Sequence, residues 1–445
     1  MATASRRSVE NADPFGPRRQ RVLDALGDRA AMILPAAPEV VVGRDVELRY
    51  VPDPDLWYLT GYGHPEGVAV LCPSADGPFT LFVRDRDPDR ELWTGPGEEV
   101  AAAGERTGAD AVYPVDELDT RLPSLLKAVD RIYFRVGRGP GHVEELVLDI
   151  LAGGRSARQR SGRGPAALLD PGLILDEMRL VKEPGEIAAI REAVNLTTAA
   201  FREALALVRP GAGEWEVEAA ADAGFRRRGA DGPAFATIAA SGPNATVLHY
   251  TANRRTMAAG ELLLLDAGAR VGPYHTDLTR TVPVDGTFRG AARQAYEVVL
   301  RAREAALEQV GPGSSVEAVH QAAVATLVAG MVDLGLLHGE PGTLLADQAW
   351  KRYFPHTTSH WLGLDVHDVG TYTVDGSPRP LGPGMVLTVE PGLYVPPDDP
   401  AAPEPLRGIG IRVEDDVLVT DDGHEVLSAD LPTAPDRIAE LVGSR

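Results

Sequence analysis

The chain has 445 residues, 44% of them hydrophobic and 24% charged, and a formal net charge of −21. This length exceeds one ordinary core and predicts two or three domains. The acidity excludes nucleic acid and anionic membranes as partners, since both demand a basic face, while it suits solubility and a cationic ligand such as a metal ion or a free amino terminus.

Residues 1–30 read as a polar lead-in with Arg6, Arg7, Arg18, Arg19 and Arg21 and one short helix, RRQRVLDALG. No apolar segment follows Arg6-Arg7, so a secretory or twin-arginine signal is not expected, and no run of about 18 apolar residues offers a membrane span. Between about 31 and 175, AMILPAA, GVAVLCP, FTLFVRD and RIYFRVG read as strands bounded by Pro, Gly and Asp, with EELVLDILAG as a helix among them. Strands mixed with helices predict an α/β domain over 1–175. Cys72, the single cysteine, lies in the apolar GVAVLCP; it allows no intrachain disulfide, reads as core, and fits a cytoplasmic protein. ARQRSGRGP, near 157–165, reads as a loop.

The second part, 176–445, opens with a helix at Lys182-Glu183-Pro184, where proline lacks the N–H that a first turn leaves unpaired. Ile187, Ile190, Val194, Phe201, Leu205 and Val208 share one face, and the helix should stop at Pro210-Gly211. A second helix covers GEWEVEAAADAGFRRRG, then strands are expected around FATIAAS and ELLLLDAG, and two long helices over about 290–310 and 315–335. Three strand-like runs follow: MVLTVEPGLYV, IGIRVEDDVLVT and HEVLS.

Five side chains in this second part form a set that is hard and rich in oxygen: Asp266, Asp277, His360, Glu390 and Glu414. Asp266 ends the apolar run LLLL, and Asp277 follows at hairpin distance across RVGPY. Thr279 shares a strand face with Asp277 by period two and offers its hydroxyl to that carboxylate; His275 on the same face reads as packing or support rather than as a ligand. HTTSHWLGLDVHD concentrates His356, His360 and His367, with Asp365 and Asp368 flanking the last; they either fix its tautomer or form a solvated turn. Glu390 ends VLTVE, where a carboxylate is costly to bury unless it is paired or metal-bound. Arg412 and Glu414 alternate in IGIRVEDD, as a surface ion pair or as a ligand beside a cation. Taken singly, Asp266 is also a turn former and each histidine a structural one; gathered in space, four carboxylates cannot all stay ionised without neutralising charge. Two divalent cations about 3.5–4 Å apart supply that charge together with a hydroxide nucleophile. Phosphate-binding glycine loops, GXSXG and HEXXH are absent from the sequence, which sets aside the reactions those motifs serve.

The stretches VLHYTAN, LLDAG with DLTRT, SHWLGLDVHDVG, VLTVEPGLYV and GIRVEDDVLVT resemble the creatinase/prolidase family of pita-bread metallopeptidases, and within it the aminopeptidase P (Xaa-Pro aminopeptidase) branch. DPDLWYLTGY and ELWTGPG resemble that branch's amino-terminal domain, so the likeness spans nearly the whole chain. It implies an α/β (α+β) fold class, with a smaller amino-terminal creatinase-like α/β domain and a carboxy-terminal pita-bread domain. It implies removal of the first residue from peptides with proline second, by a hydroxide on two divalent metal ions, Mn²⁺ for preference. Asp266 then holds one ion, His360 and Glu390 the other, and Asp277 and Glu414 bridge them. Glu390 is also the proton acceptor, while His249 and His367 meet the scissile carbonyl. His356, Arg412 and Tyr394 line the substrate pocket; Phe235 stands where relatives often have tyrosine. Asp55 is implied to pair near Arg412, and Trp93 to reach a neighbouring subunit's site, hence a homo-oligomer, dimer or tetramer. Two rivals share the motifs: a prolidase confined to Xaa-Pro dipeptides, and a non-catalytic pita-bread peptide-binding module, which would have lost ligands.

Overall fold

The computed structural model describes residues 14–95 and 97–443. Arg6, Arg7 and the rest of the chain before residue 14 lie outside the described residues, as does Pro96 of ELWTGPG. The chain divides into two compact units, 1–178 and 179–445.

The first unit is built on a six-stranded mixed sheet, in the order Ala111–Pro114, Phe79–Val83, Val68–Leu71, Ala30–Pro35, Arg131–Tyr133 and Ala167–Leu169. Ala30–Pro35 runs antiparallel to Val68–Leu71 and parallel to Arg131–Tyr133. Continuous apolar runs suit strands covered on both faces, and Ile33, Val70, Cys72, Phe82 and Ile132 are buried together with Leu122 and Val147 of the covering helices. Two expectations differ. The helix Gly141–Ser161 runs through most of the expected 157–165 loop. Ala157 to Arg160 are good helix formers, and the stop comes at Gly162, whose φ of 73° and N–H bond to Arg158 O close the last turn. The arginines of the lead-in are not all solvated: Arg18 and Arg19, on the helix Phe15–Leu26, are buried and donate to Tyr58 O (3.2 Å) and Leu59 O (2.8 Å), their guanidinium groups over the Tyr58 and Phe79 rings.

In the second unit the helix Pro184–Leu205 starts where proline and the Glu186 carboxylate, accepting from Glu183 N at 2.9 Å, satisfy its first turn. It ends before Pro210 because Leu207 and Val208 already bond three residues back, a tightened turn forced by the proline that follows Arg209. It packs on Glu214–Arg227, and Gly290–Leu307 packs on Val316–Asp333. The helices lie against short sheets: Ile238–Ser241, Leu262–Ala267 and Leu278–Pro283 in one; Val386–Val389, Asp415–Thr420 and Gly423–Val426 in another; and the ribbon Gly392–Tyr394 with Gly410–Arg412. An isolated bridge between Thr279 and Glu414 stitches the first sheet to the loop joining the other two. The histidine segment 356–368 holds no helix; it runs beside Val386–Val389 through a bridge between Trp361 and Leu387.

Candidate metal centre

The Asp266–Asp277 hairpin closes because Gly268 has no side chain: a Cβ there would overlap the Thr276 carbonyl oxygen. Arg270 then pairs with His275, and Asp266 with Thr279, so both aspartates reach one end of the sheet. His360 is set by Thr388, whose hydroxyl accepts the His360 N–H (3.1 Å) and whose N–H donates to His360 O (3.0 Å). Glu390 leaves the same strand, its N–H held by Thr358 O at 2.8 Å. Glu414 sits across from Thr279, and the Thr279 hydroxyl donates to Glu414 Oε2 at 2.7 Å. That hydroxyl was expected to serve Asp277; the cross-strand bridge turns it to Glu414 instead.

The five side chains meet around one cavity of about 410 Å³, together with Leu248, His249, His356, Thr357, His367, Tyr372 and Arg412. Ligating atoms of Asp277, His360 and Glu414 all lie within 4.8 Å of one another. His360 Nδ1 lies 3.0 Å from Trp361 O, an acceptor, so the proton is on Nδ1 and Nε2 is left facing Asp277 Oδ2 (3.5 Å) and Glu390 Oε1 (3.7 Å). These spacings exceed a good hydrogen bond and match two ligands of one cation, each roughly 2.0–2.2 Å from it. Among the described residues Asp266 Oδ1 and Asp277 Oδ1 find no hydrogen-bond partner, and both are buried. Burial, then the neighbouring negative charges, push the Asp277 and Glu414 carboxyls well above the usual range; burial also raises Glu390. The donor set therefore fits a divalent cation bound by carboxylates and imidazole, and carboxylate-rich sets favour hard ions.

Two arrangements support this set. Arg412 forms a buried ion pair through Nη2 with Asp266, donates through Nε to Thr279 Oγ1 (3.1 Å) and through Nη1 to Tyr394 Oη (3.0 Å). The Tyr394 hydroxyl then reaches His356 Nε2 (2.9 Å), while His356 Nδ1 donates to Thr357 O (2.7 Å). Burial, reinforced by the Arg412 charge, pushes His356 down to about 3, so this imidazole is neutral. Behind Asp277, the buried Asp416 accepts from Thr276 Oγ1 (2.5 Å), and burial raises its carboxyl to about 7.

His367 stands with its ring 4.4 Å from that of His360, and burial lowers its pKa. Asp365 and Asp368 do not set its tautomer: both carboxylates accept from Arg179 Nη2 (2.8 and 2.6 Å), and Asp368 also from Lys182 Nζ (2.9 Å). His275 is buried against this loop, its N–H donating to Gly363 O at 3.0 Å. Tyr394 is buried, and Phe235 has its ring edge against Gly268; neither lines the cavity itself. In the first unit, Asp55 is buried with its carboxylate 3.2 Å from Arg135 Nη1, a partner the sequence reading did not supply, and Trp93 is 85% exposed on the helix Pro88–Thr94. Tyr372, stacked on Trp361 at 5.3 Å beside the cavity, carries no signal in the sequence, whereas Asp416 alternates with Arg412 and Glu414 in IGIRVEDD.

Residues 188–421 match metallopeptidase family M24, and residues 15–133 match the N-terminal domain of aminopeptidase P. The Xaa-Pro aminopeptidase of Escherichia coli (strain K12) is 41% identical over 430 residues, covering 96% of this chain and 97% of that one. The structure is similar to that of Pseudomonas aeruginosa aminopeptidase PepP, with a TM-score of 0.92, 39% identity, and coverage of 96% and 97% of the two chains. It is also similar to a variant of Escherichia coli aminopeptidase P in complex with substrate, with a TM-score of 0.91, 41% identity and coverage of 96% and 97%. With its carboxylate–histidine cluster carried on a carboxy-terminal pita-bread domain and an aminopeptidase P domain before it, the chain belongs to metallopeptidase family M24.

Proposed function

We propose that the protein removes the amino-terminal residue from peptides whose second residue is proline, with a pair of divalent cations, Mn²⁺ for preference, held by Asp266, Asp277, His360, Glu390 and Glu414. The observation that carries this reading is a buried set of acceptors with fewer donors than it needs: His360 Nε2 facing two carboxylates, the Oδ1 atoms of Asp266 and Asp277 without a partner among the described residues, and carboxyls raised by burial and by one another's charge. The Xaa-Pro aminopeptidase relatives at 41% and 36% identity supply the substrate class. When bound, the cation pair acidifies a water molecule and polarises the scissile carbonyl.

The chain's own residues do the rest. Glu390 has a carboxyl raised by burial, suited to taking a proton from the attacking water and returning it to the proline nitrogen that leaves. That nitrogen belongs to a tertiary amide with no N–H, so the site must grip the free amine and the ring. Asp266 offers the amine a carboxylate; the neutral His356, held by Tyr394 and Arg412, offers the ring an uncharged wall. His249 and His367 line the cavity at the carbonyl and donate to the oxygen as charge develops on it.

Two readings concern setting rather than chemistry. Trp93 beside the equally exposed Leu92 supports a homo-oligomer, dimer or tetramer, in which this face meets a second copy and Trp93 contributes to its site. The lone buried Cys72, with no described helix long and apolar enough to cross a membrane, is consistent with a cytoplasmic enzyme. The test of the activity is a comparison of Xaa-Pro-Xaa and Xaa-Pro peptides with protein of measured metal content. Cleavage of the tripeptide after its first residue is expected; hydrolysis of the dipeptide alone would make this a prolidase, and no hydrolysis with metal bound would leave a peptide-binding module.

A further inference from the structure

His249 rides on residues 242–255, a segment with no regular structure beyond the 3₁₀ turn Gly242–Thr246. Such a segment does not by itself hold an imidazole to the tolerance catalysis needs. One side chain gathers both of its ends. Glu214, the first residue of the helix Glu214–Arg227, has no exposed surface. Its Oε1 accepts from Ser241 N (2.7 Å), Ser241 Oγ (2.8 Å) and Asn244 Nδ2 (3.1 Å), and its Oε2 from Tyr250 Oη (2.9 Å) and Arg255 N (2.8 Å). The Glu214 N–H in turn donates to Arg255 O at 2.9 Å, and Arg255 Nη1 to Ser241 Oγ at 3.0 Å. An acidic residue that served only the start of a helix would sit at the surface, where the helix dipole suffices; this one is fully buried and saturated with donors from the loop.

We propose that Glu214 is a positioning residue for the reaction, acting through the Tyr250 hydroxyl to fix the adjacent His249 against the substrate carbonyl. The proposal rests on the role given to His249 above. Of the five donors, Tyr250 is the one next to His249 in the chain; the other four pin the two ends of the segment. Together they close a ring of hydrogen bonds from which His249 projects, exposed, into the cavity shared with His356 and His367.

The test is Tyr250→Phe, which deletes one hydroxyl from a half-buried ring and leaves Glu214 four donors. With a tripeptide substrate, kcat falls about 10–100-fold, the range for losing a partner that orients a working group, while KM, metal content and melting temperature stay within about twofold or a degree or two of the parent. Placed in a His249→Ala background, the same change costs nothing further, because the group it positions is gone. Glu214→Gln is the second variant: its amide presents donors to the loop's donors, and it lowers kcat at least as far while metal remains bound. An unchanged kcat in Tyr250→Phe overturns the proposal. So does an equal loss with and without His249, which would make Tyr250 an independent contributor. If His249→Ala alone leaves kcat and KM unaltered, the role of His249 fails and the positioning device with it, a result recognisable from that single variant.

Discussion

Replacing Thr279 by valine keeps a β-branched side chain in the strand and removes one hydroxyl. That hydroxyl, with no exposed surface, donates to Glu414 Oε2 at 2.7 Å and accepts from Arg412 Nε at 3.1 Å. Losing a hydrogen bond to this carboxyl group costs about 0.5–3 kcal/mol, and leaving a buried guanidinium N–H unanswered about 1–3 kcal/mol more. Arg412 then has less reason to stay beside Glu414, and that carboxylate loses a donor that turns it toward the cavity. Part of the cost falls on the fold and part on the metal. Metal affinity should drop about 10–100-fold, as for other groups that orient a ligand, accompanied by a fall of several degrees in the melting temperature of the metal-free protein. Calorimetric titration of the EDTA-treated protein with Mn²⁺ measures the first, and scanning calorimetry the second. A lower melting temperature with unaltered Mn²⁺ affinity would refute the reasoning, since Thr279 would then be ordinary core.

Asp277→Asn should abolish tight metal binding and lower kcat about a thousandfold, the scale of losing a principal electrostatic group. Full activity with metal retained would end the bridging role. His367→Ala should cut turnover about 10²–10³-fold with metal content unchanged, measured by tripeptide hydrolysis beside elemental analysis; loss of metal instead would make His367 a ligand. Stability of the metal-free protein should fall as pH rises. The Asp277, Glu414 and Glu390 carboxyls are raised in the fold, and Asp416 stands at about 7 against 3.8 unfolded. The folded state thus keeps protons that the unfolded chain releases: the contribution is complete below about pH 4 and lost as pH climbs through the folded values. Asp416 alone contributes ~4 kcal/mol, from about three pH units at ~1.4 kcal/mol each. Scanning calorimetry at pH 5, 6.5 and 8 should give a falling melting temperature after EDTA treatment and none of that fall with Mn²⁺ bound; a rise without metal would mean the carboxyls are not held together.

Much of this molecule was legible in one dimension because its signals are local. The short helix over RRQRVLDALG, the apolar runs of the six-stranded sheet and the proline start of Pro184–Leu205 each follow from residues within a few positions. So did the choice of the proposed ligands, since a carboxylate beside an apolar run is expensive wherever it lands, and four of them with one histidine left few arrangements. What could not be read there is which partner each polar group takes. Thr279 shares a strand face with Asp277, but its hydroxyl goes to Glu414, 135 residues away. Asp368 neighbours His367, yet its carboxylate belongs to Arg179 and Lys182. Asp55 carries an ion pair with Arg135 that no spacing announces, and Glu214, a residue that looks like any first-turn acid, gathers five donors from a loop beyond its helix. Periodicity decides which face a side chain occupies; the hydrogen bond it makes there depends on which distant strand or loop arrives opposite, and only the packed chain fixes that.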